Sequence, residues 1–489
     1  MTIDEDEMRA LTASEAVAAI HHGRLRAVDY VQSALARAQA CAGLHALTYL
    51  EVDAALASAR RIDALSIDRK RHLPLAGLPV VVKANINVAD MPTCAGTPSL
   101  EGFIAKRSTR SVTRLVEAGA IVLGKANMHE LAVGITSTNL SPHAGPVRNP
   151  YDVTRIPGGS SGGTAAAIAA RLAPAGLGTD TGGSVRIPAA LTGIVGLRPS
   201  VGDGGGERRY HDPHGVVPIS RTRDTVGPMA RTVADVALLD AVIAAESSFA
   251  PARLAGLRIG LPAPLWGILD RQLEELARAA LDRLADAGVE FVDIALPELL
   301  PLSERISAPI AFHETGRDVP EWLAANEGPV RGIEAVLERI ASPDVRRIYE
   351  AVAAGDFAAH YDEAMTHGRP ALQRLYAEAF AAEGVDALLF PTTPLPAAPI
   401  DAVNGSSTVS IDGGAPIDEF GAYLRNTSPG SLAGIPGLAL PAGMTRAGLP
   451  IGLELDGPLG ADRRLLAIGA ACEAVLGVLP PPALEGLSP

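Results

Sequence analysis

The sequence predicts an α/β fold, and two patterns in the chain indicate it. Short apolar runs without polar alternation, such as 78–82, 120–123 and 173–177, are typical of strands that are covered on both faces. Helical segments at 111–118 and 162–172 lie between these runs, and an alternation of strands and helices predicts a sheet with helical layers. Because 47% of the 489 residues are hydrophobic, the chain can bury a large core.

The organisation of the chain favours one domain over 1–489. No internal repeat or low-complexity linker separates independent units. Thr12 and Glu15 have capping-box spacing, and Ser342-Pro343 is a favourable start for a helix. We divide the domain into a helical N-terminal layer, a core with glycine-rich motifs, a mostly helical insertion, and C-terminal strands with a helix that complete the core: 8–62, 73–230, 232–385 and 386–480.

Composition argues against several classes of protein. The net charge of −13 does not suit nucleic-acid binding, which needs a basic face. Cys41, Cys94 and Cys472 are too far apart for a disulfide framework or a metal-ligand motif, and they suit a reducing compartment. The N-terminus is acidic, unlike a signal peptide, and no uncharged apolar run reaches the roughly 18 residues of a membrane helix. We therefore expect a cytoplasmic protein without nucleic-acid or membrane partners.

Two glycine- and serine-rich clusters carry the strongest chemical signal. They are Gly158–Gly163, which contains Ser160 and Ser161, and Gly178–Pro188, which contains Ser184. Successive backbone N–H groups in such loops form concave sites for anions. A serine at the end of Thr-Gly-Gly can place its hydroxyl beside several of these donors. An acyl-transfer nucleophile with its oxyanion hole requires that arrangement.

Other interpretations of the clusters remain open at this point. A single Gly/Ser loop is most often a plain turn, but two clusters between residues 158 and 188 favour a site. A phosphate loop is disfavoured because neither cluster ends in Gly-Lys-Ser/Thr. The run Gly158–Gly162 also matches the G-x-S-x-G elbow of α/β-hydrolases, which would leave the second cluster unexplained. That elbow would use one of the downstream histidines, which are His211, His214, His313, His360 and His367.

The lysines are few enough to be informative, because 38 of the 42 cationic side chains are arginine. Lys83 and Lys125 each come after an apolar run, at the carboxyl end of a predicted buried strand, where open α/β sheets bind ligands. Lysine can lose its proton when it is desolvated, whereas arginine cannot. From the residues alone, either lysine can be a base or a structural group. We expect Lys70 and Lys106, in polar surroundings, to be solvated surface charges.

These clusters resemble the signature of the amidase signature family. The segments Gly158–Gly163, Gly178–Pro188 and Gly193–Pro199 match it almost position by position, and weaker similarity extends over residues 10–475. The resemblance implies a single α/β/α domain around a large mixed sheet. The helical N-terminal layer and the helical insertion are predicted from the residue patterns above.

The resemblance also implies a Ser–cis-Ser–Lys catalytic unit that needs neither a metal nor a cofactor. Carried over residue by residue, Ser184 is the nucleophile, Ser160 is the cis serine and Lys83 is the base, which leaves Lys125 a structural role. The oxyanion hole falls on backbone N–H groups of the second cluster, namely those of Thr181, Gly182, Gly183 and Ser184.

Within the family, the segments 128–131, 134–139 and 141–148 resemble hydrolases of indole-3-acetamide and mandelamide. This similarity implies a small aryl or arylalkyl amide as substrate, with release of ammonia or an amine. Gly134, Ile135 and Thr136 are then expected beside the catalytic centre. Some of the aromatic residues in the variable regions can line an aryl pocket, and the candidates are Trp266, Trp322, Phe312, Tyr349 and Phe420.

Several alternatives of function stay open on the sequence. The same triad can act on anilides, carbamates or esters. The chain can also be the glutamine-hydrolysing subunit of a tRNA-dependent amidotransferase, or a binding module without catalytic activity. The sequence is compatible with a homodimer but does not indicate an oligomeric state.

Overall fold

The computed structural model describes residues 3–203, 208–246 and 250–484. Its strands are β1 (Leu47–Leu50), β2 (Pro79–Lys83), β3 (Ile121–Ala126), β4 (Ala175–Asp180), β5 (Val195–Arg198), β6 (Thr225–Ala230), β7 (Arg258–Pro262), β8 (Glu290–Ile294), β9 (Ala387–Pro391), β10 (Thr408–Val409), β11 (Ile417–Asp418), β12 (Gly437–Met444) and β13 (Pro450–Asp456). Its α-helices are α1 (Glu5–Ala10), α2 (Ala13–His21), α3 (Ala27–Ala40), α4 (Val52–Asp63), α5 (Ile67–Arg71), α6 (Arg110–Glu117), α7 (Gly162–Ala169), α8 (Arg186–Thr192), α9 (Val233–Ala244), α10 (Arg271–Asp286), α11 (Leu299–Ala325), α12 (Gly332–Leu337), α13 (Pro343–Ala354), α14 (Tyr361–Glu363), α15 (Arg369–Glu383), α16 (Glu419–Leu424), α17 (Ser428–Ala433) and α18 (Asp462–Leu476).

One large mixed sheet organises the described chain and confirms the predicted fold class. Eleven strands lie in the order β1-β3-β2-β4-β6-β5-β12-β13-β9-β7-β8. Pairing is parallel within β3-β2-β4 and within β9-β7-β8, and antiparallel between the other neighbours. A separate pair, β10 and β11, lies outside this sheet. The structure is therefore a single α/β domain.

Helices cover both faces of the sheet. On one face, α7 packs on β4 and α8 packs on β12, around small residues such as Ala439. On the other face, α18 packs on β12 around Leu438 and Leu440. The close approach of α7 requires glycine in β4, because a Cβ on Gly178 would lie 2.7 Å from Ser161 Oγ. This contact brings the first serine cluster against the end of β4.

The parallel pairing of β2 with β4 determines where the candidate site forms. Val80 lies opposite Ala175 and Val82 opposite Leu177, so both strands end at the same edge of the sheet. Lys83 is the last residue of β2, as the sequence predicts. The carboxyl end of β4 leads directly into the second glycine cluster. Side chains from both strand ends therefore converge at one place.

Two of the predicted helical regions also contain strands of the sheet. The N-terminal layer contributes β1 to one end of the sheet, and the insertion contributes β7 and β8 to the other end. In β8, Glu290 and Asp293 are exposed and only Ile294 is buried, so this strand lacks the continuous apolar run that identifies a buried strand. The predicted capping box at Thr12 and Glu15 is present, and α13 begins after Ser342.

Two of the four lysines show how far surface exposure follows from local sequence. Lys106 is exposed and its Nζ lies 2.6 Å from Glu327 Oε2, as expected of a surface charge. The prediction for Lys70 is wrong, because this residue is only 8% exposed and its ammonium faces Asp63 at 4.0 Å. Lys70 lies in the last turn of the short helix α5, where the fold covers it.

Among the helices of the described ranges, none combines the length and apolar composition needed to cross a bilayer.

Candidate active site

Lys83 is a fully buried lysine at the carboxyl end of β2. Its Nζ donates to Ser160 Oγ at 2.8 Å and to Thr179 Oγ1 at 2.8 Å. Burial lowers the pKa of Lys83 to about 7, although the negative charges of Asp180 and Asp224 act in the opposite direction. A substantial fraction of Lys83 is therefore neutral near neutral pH and can accept a proton.

Ser160 lies in the first cluster, and the Gly159–Ser160 peptide bond is cis. Two sets of hydrogen bonds fix this loop. Ser161 N–H donates to Ser184 O at 3.1 Å, while Ser161 Oγ donates to Thr179 O at 3.1 Å and accepts from Thr179 N–H at 3.2 Å. The backbone contact with Ser184 joins the two clusters, and the hydroxyl contacts hold the first cluster against β4.

Residues 181–184 form a short loop between β4 and α8, which we call the 181–184 loop. Ser184 is 6% exposed and lines a cavity together with Thr181 and Gly182. Gly183 adopts φ +142°, a conformation that residues with a Cβ rarely adopt. Its N–H donates to Asp180 Oδ1 at 2.9 Å. Among the four N–H groups predicted for an oxyanion hole, the structure thus directs that of Gly183 toward Asp180.

A buried ionic cluster supports this loop from below. Asp180 Oδ1 contacts Arg186 Nη2 at 3.0 Å and Arg198 Nη1 at 3.1 Å, and Arg186 also pairs with Glu454. All four side chains are fully buried. Burial alone would raise the pKa of Asp180, but the two guanidinium groups outweigh it and hold that pKa below its usual value. The carboxylate that fixes the Gly183 N–H therefore stays ionised.

The cavity in front of Ser184 has a volume of about 470 Å³. One wall is the loop 132–135, and another is a stripe of α11 side chains at helical spacing. The aromatic rings of Phe312 and Phe420 contribute to the lining. Charged groups of Arg223, Glu304, Asp418 and Arg425 are also present, but most of the lining atoms are apolar. The α11 stripe consists of Leu300, Ser303, Glu304, Ser307, Ala308 and Ala311.

The predicted substrate-binding residues divide at Thr136. Gly134 and Ile135 line the cavity. Thr136 does not, because it is buried behind the wall, where its hydroxyl donates to Gly405 O at 2.9 Å. Gly134 rests on the ring of His129, which a Cβ would approach to 2.2 Å, and His129 Nε2 lies 3.0 Å from Asp344. A side chain at position 134 is therefore incompatible with this wall.

The aromatic candidates divide in a similar way. Phe312 and Phe420 line the cavity, whereas Trp322 and Tyr349 belong to a buried apolar cluster. Trp266 packs on the guanidinium of Arg278, and its indole N–H donates to a backbone carbonyl.

Lys125 resembles Lys83 in burial but differs in its contacts. Both side chains are fully buried, and burial lowers both pKa values to about 7. Lys125 Nζ donates to Ile86 O and reaches Thr93 Oγ1 at 3.4 Å. Neither partner belongs to the glycine clusters. Geometry rather than proton affinity therefore distinguishes the two lysines.

Sequence reasoning missed several residues of the site. Thr179, the second partner of Lys83, lies inside the second cluster, but the sequence assigned no role to its side chain. The α11 stripe was detectable in principle, since its small and apolar residues recur at helical spacing, but the long helix predicts only a structural role. For the elbow interpretation, the described residues show no histidine hydrogen-bonded to Ser160, whose side chain contacts Lys83 instead.

Comparison with known proteins identifies the class of enzyme as a hydrolase that acts on amide C–N bonds. A model of the amidase family matches residues 29–466. The indoleacetamide hydrolase of Agrobacterium vitis is 42% identical over 93% of this chain and 95% of its own length, and the mandelamide hydrolase of Pseudomonas putida is 38% identical over 98% and 94%. A crystal structure of an amidase superposes with a TM-score of 0.81, at 35% identity, over 96% of this chain and 100% of that one. The chain belongs to the amidase family.

Proposed function

We propose that this amidase hydrolyses small aryl or arylalkyl amides through Ser184, Ser160 and Lys83. The observation that carries the proposal is the 2.8 Å contact between Lys83 Nζ and Ser160 Oγ. It places a lysine with a lowered pKa against one cluster, and Ser161 joins that cluster to Ser184.

The proposed reaction follows from these positions. The hydroxyl of Ser184 attacks the amide carbonyl while its proton passes through Ser160 Oγ to neutral Lys83, since a hydroxyl can donate and accept at once. The oxyanion forms against N–H groups of the 181–184 loop, with Thr181, Gly182 and Ser184 as donors. The proton then returns by the same route to the leaving nitrogen as the C–N bond breaks. Water attacks the acyl-enzyme and releases the carboxylic acid and Ser184.

The substrate class rests on the cavity and on the relatives. An apolar space of about 470 Å³ with two aromatic residues suits one ring system and a short side chain. The names of the two relatives above refer to amides of this size. The expected location in the cytoplasm and the compatibility with a homodimer stay predictions.

The pH dependence of hydrolysis should reflect the titration of Lys83. Below a pH of about 7 the ammonium form predominates and cannot act as a base. We expect kcat/KM for phenylacetamide to fall about tenfold per pH unit below 7 and to reach a plateau above it. The measurement is a pH–rate profile from 5 to 9 with folding monitored in parallel. A flat profile through this range would contradict a lysine base.

A substrate panel tests the proposed function directly. The purified chain is assayed with arylacetamides, the matching anilides, carbamates and esters, and free glutamine. We expect ammonia release from arylacetamides, with kcat/KM at least about tenfold above that for each other class, because the cavity is small and apolar. If glutamine is the only compound hydrolysed, and if its hydrolysis requires added partner subunits, the result would instead indicate the amidotransferase subunit. No turnover of any compound would favour a binding module.

A further inference from the structure

Arg223 is a buried arginine between the 181–184 loop and the wall of the cavity. It precedes β6 and is only 3% exposed. Its Nε donates to Thr181 O at 3.1 Å, and Nη2 donates to Ser428 Oγ at 3.1 Å. Nη1 donates to Ser307 of α11, to the carbonyl at 3.3 Å and to the hydroxyl at 3.0 Å. The guanidinium thus joins the reactive loop to two walls of the cavity.

Two features distinguish this contact set from that of an ordinary structural arginine. Among the described residues, no carboxylate oxygen lies within 4.0 Å of the Arg223 guanidinium, although the more distant charges of Asp224, Asp180 and Glu314 act on it. A guanidinium also has five N–H donors, and the contacts above use four of them. The cation lies beside Gly182, where an added Cβ would be 3.4 Å from Nη2. Burying a guanidinium costs free energy, and a negative charge that forms beside it during the reaction offsets part of that cost.

The contact with Thr181 has a consequence for the neighbouring residue. The carbonyl of Thr181 and the N–H of Gly182 belong to the same peptide group. A charged donor on that carbonyl polarises the peptide and makes its N–H a stronger hydrogen-bond donor. Thr427 Oγ1 donates to Gly182 O at 2.5 Å and fixes the next peptide group of the loop. The orientation of the Gly182 N–H is therefore set from both sides.

We propose that Arg223 is a positioning residue that aligns and polarises the Gly182 N–H for the oxyanion and places a fixed cation behind it. The inference rests on the proposed function, because the oxyanion forms only when Ser184 attacks. The positive charge of Arg223 attracts the negative charge of the tetrahedral intermediate, whereas the amide substrate is neutral. Arg223 therefore acts on the chemical step more than on substrate binding.

The test compares three measurements on Arg223→Met, which keeps side-chain length but removes charge and donors. We expect kcat for phenylacetamide to fall about 10- to 100-fold. The affinity for an arylalkyl boronic acid, whose adduct with serine is tetrahedral and anionic, should fall by the same factor. The Kd of the neutral amide, measured in the Ser184→Ala background with and without Arg223→Met, should change less than about threefold.

Arg223→Lys and Arg278→Met are the companion variants. Lysine retains the charge but lacks the planar fork, so we expect a smaller, about tenfold loss of kcat and of boronate affinity together. If Arg223→Met does not fold, the kcat and the boronate affinity of Arg223→Lys test the inference in its place. Arg278→Met removes an exposed guanidinium on α10 and should match the wild type.

Unchanged kcat in folded Arg223 variants would overturn this inference, as would a loss of amide binding as large as the loss of kcat. If the Ser184→Ala variant retains wild-type hydrolysis, the proposed function fails instead.

Discussion

Replacing Ser184 by alanine is expected to lower arylacetamide hydrolysis by at least about 10⁴-fold while the protein stays folded. Two hydroxyl groups of the 181–184 loop line the cavity, those of Thr181 and Ser184. The Thr181 hydroxyl donates to Asp224 at 2.5 Å and is therefore engaged elsewhere. Loss of the Ser184 hydroxyl removes the proposed nucleophile but leaves the N–H groups of the loop in place.

Three readouts separate loss of chemistry from loss of structure in Ser184→Ala. The melting temperature should stay close to that of the wild type, because the change removes a single oxygen atom at the cavity surface. Phenylacetamide should still bind, with a Kd near that of the wild-type ground state. Mass spectrometry after mixing with a slowly deacylated ester should show the acyl adduct on the wild type but not on the variant. Substantial residual turnover would reject Ser184 as the nucleophile.

The second large effect is expected at Lys83, where arginine should be nearly as damaging as alanine. Both Lys83→Arg and Lys83→Ala should lower kcat/KM by about 10²–10⁴-fold. Arginine preserves positive charge but does not give up its proton in a protein, so it cannot serve as a base. Its larger head group must also fit between Ser160 and Thr179, a site that is fully buried. Steady-state kinetics above pH 8, where the wild-type lysine is largely neutral, give the clearest comparison.

The chain contains matched controls for this experiment. Lys106→Arg should leave activity unchanged, because Lys106 is an exposed partner of Glu327. Lys125→Met removes an equally buried lysine whose pKa is also near 7. It should lower the melting temperature without moving the acidic limb of the pH profile. Near-normal turnover of Lys83→Arg, or a shifted acidic limb in Lys125→Met, would contradict the assignment of Lys83 as the base.

The central part of the sheet could be predicted from the sequence because its strands begin as continuous apolar runs. β2, β3 and β4 are buried along their full length, so their residues need no polar alternation. At the ends of the sheet this signal disappears. β1 and β8 are only partly buried, and short half-exposed strands look like loops or helix ends in a helical region.

The sequence predicts the parts of the candidate site in which a chemical role requires a particular residue type. Lys83 and Lys125 illustrate the limit, because they share burial and a similar pKa and follow similar apolar runs. Only the register of β2 on β4 brings one of them to Ser160. The direction of the Gly183 N–H is also a property of the folded loop, since it depends on the carboxylate of Asp180.

The sequence predicted only part of the cavity wall, including Gly134, Ile135, Phe312 and Phe420 among its candidates, because the wall comes from distant parts of the chain. Phe312 of α11 and Phe420 of α16 line the same cavity as residues 134 and 135. Their convergence depends on long-range packing, which a local pattern does not encode. The long α11 contains Pro309 and Pro320 and is nevertheless continuous from Leu299 to Ala325.

The separation of α11 from the glycine clusters has a consequence for how such enzymes can diversify. The reactive groups proposed here occupy the edge formed by β2 and β4, whereas the stripe on α11 is more than 100 residues away in the chain. Mutations in that stripe, except at Ser307, whose carbonyl and hydroxyl accept hydrogen bonds from Arg223, can change the substrate space while the nucleophile, its relay and its base keep their geometry. An ancestral enzyme can therefore acquire new amide substrates through substitutions on one surface of α11, with little loss of catalytic rate during the transition.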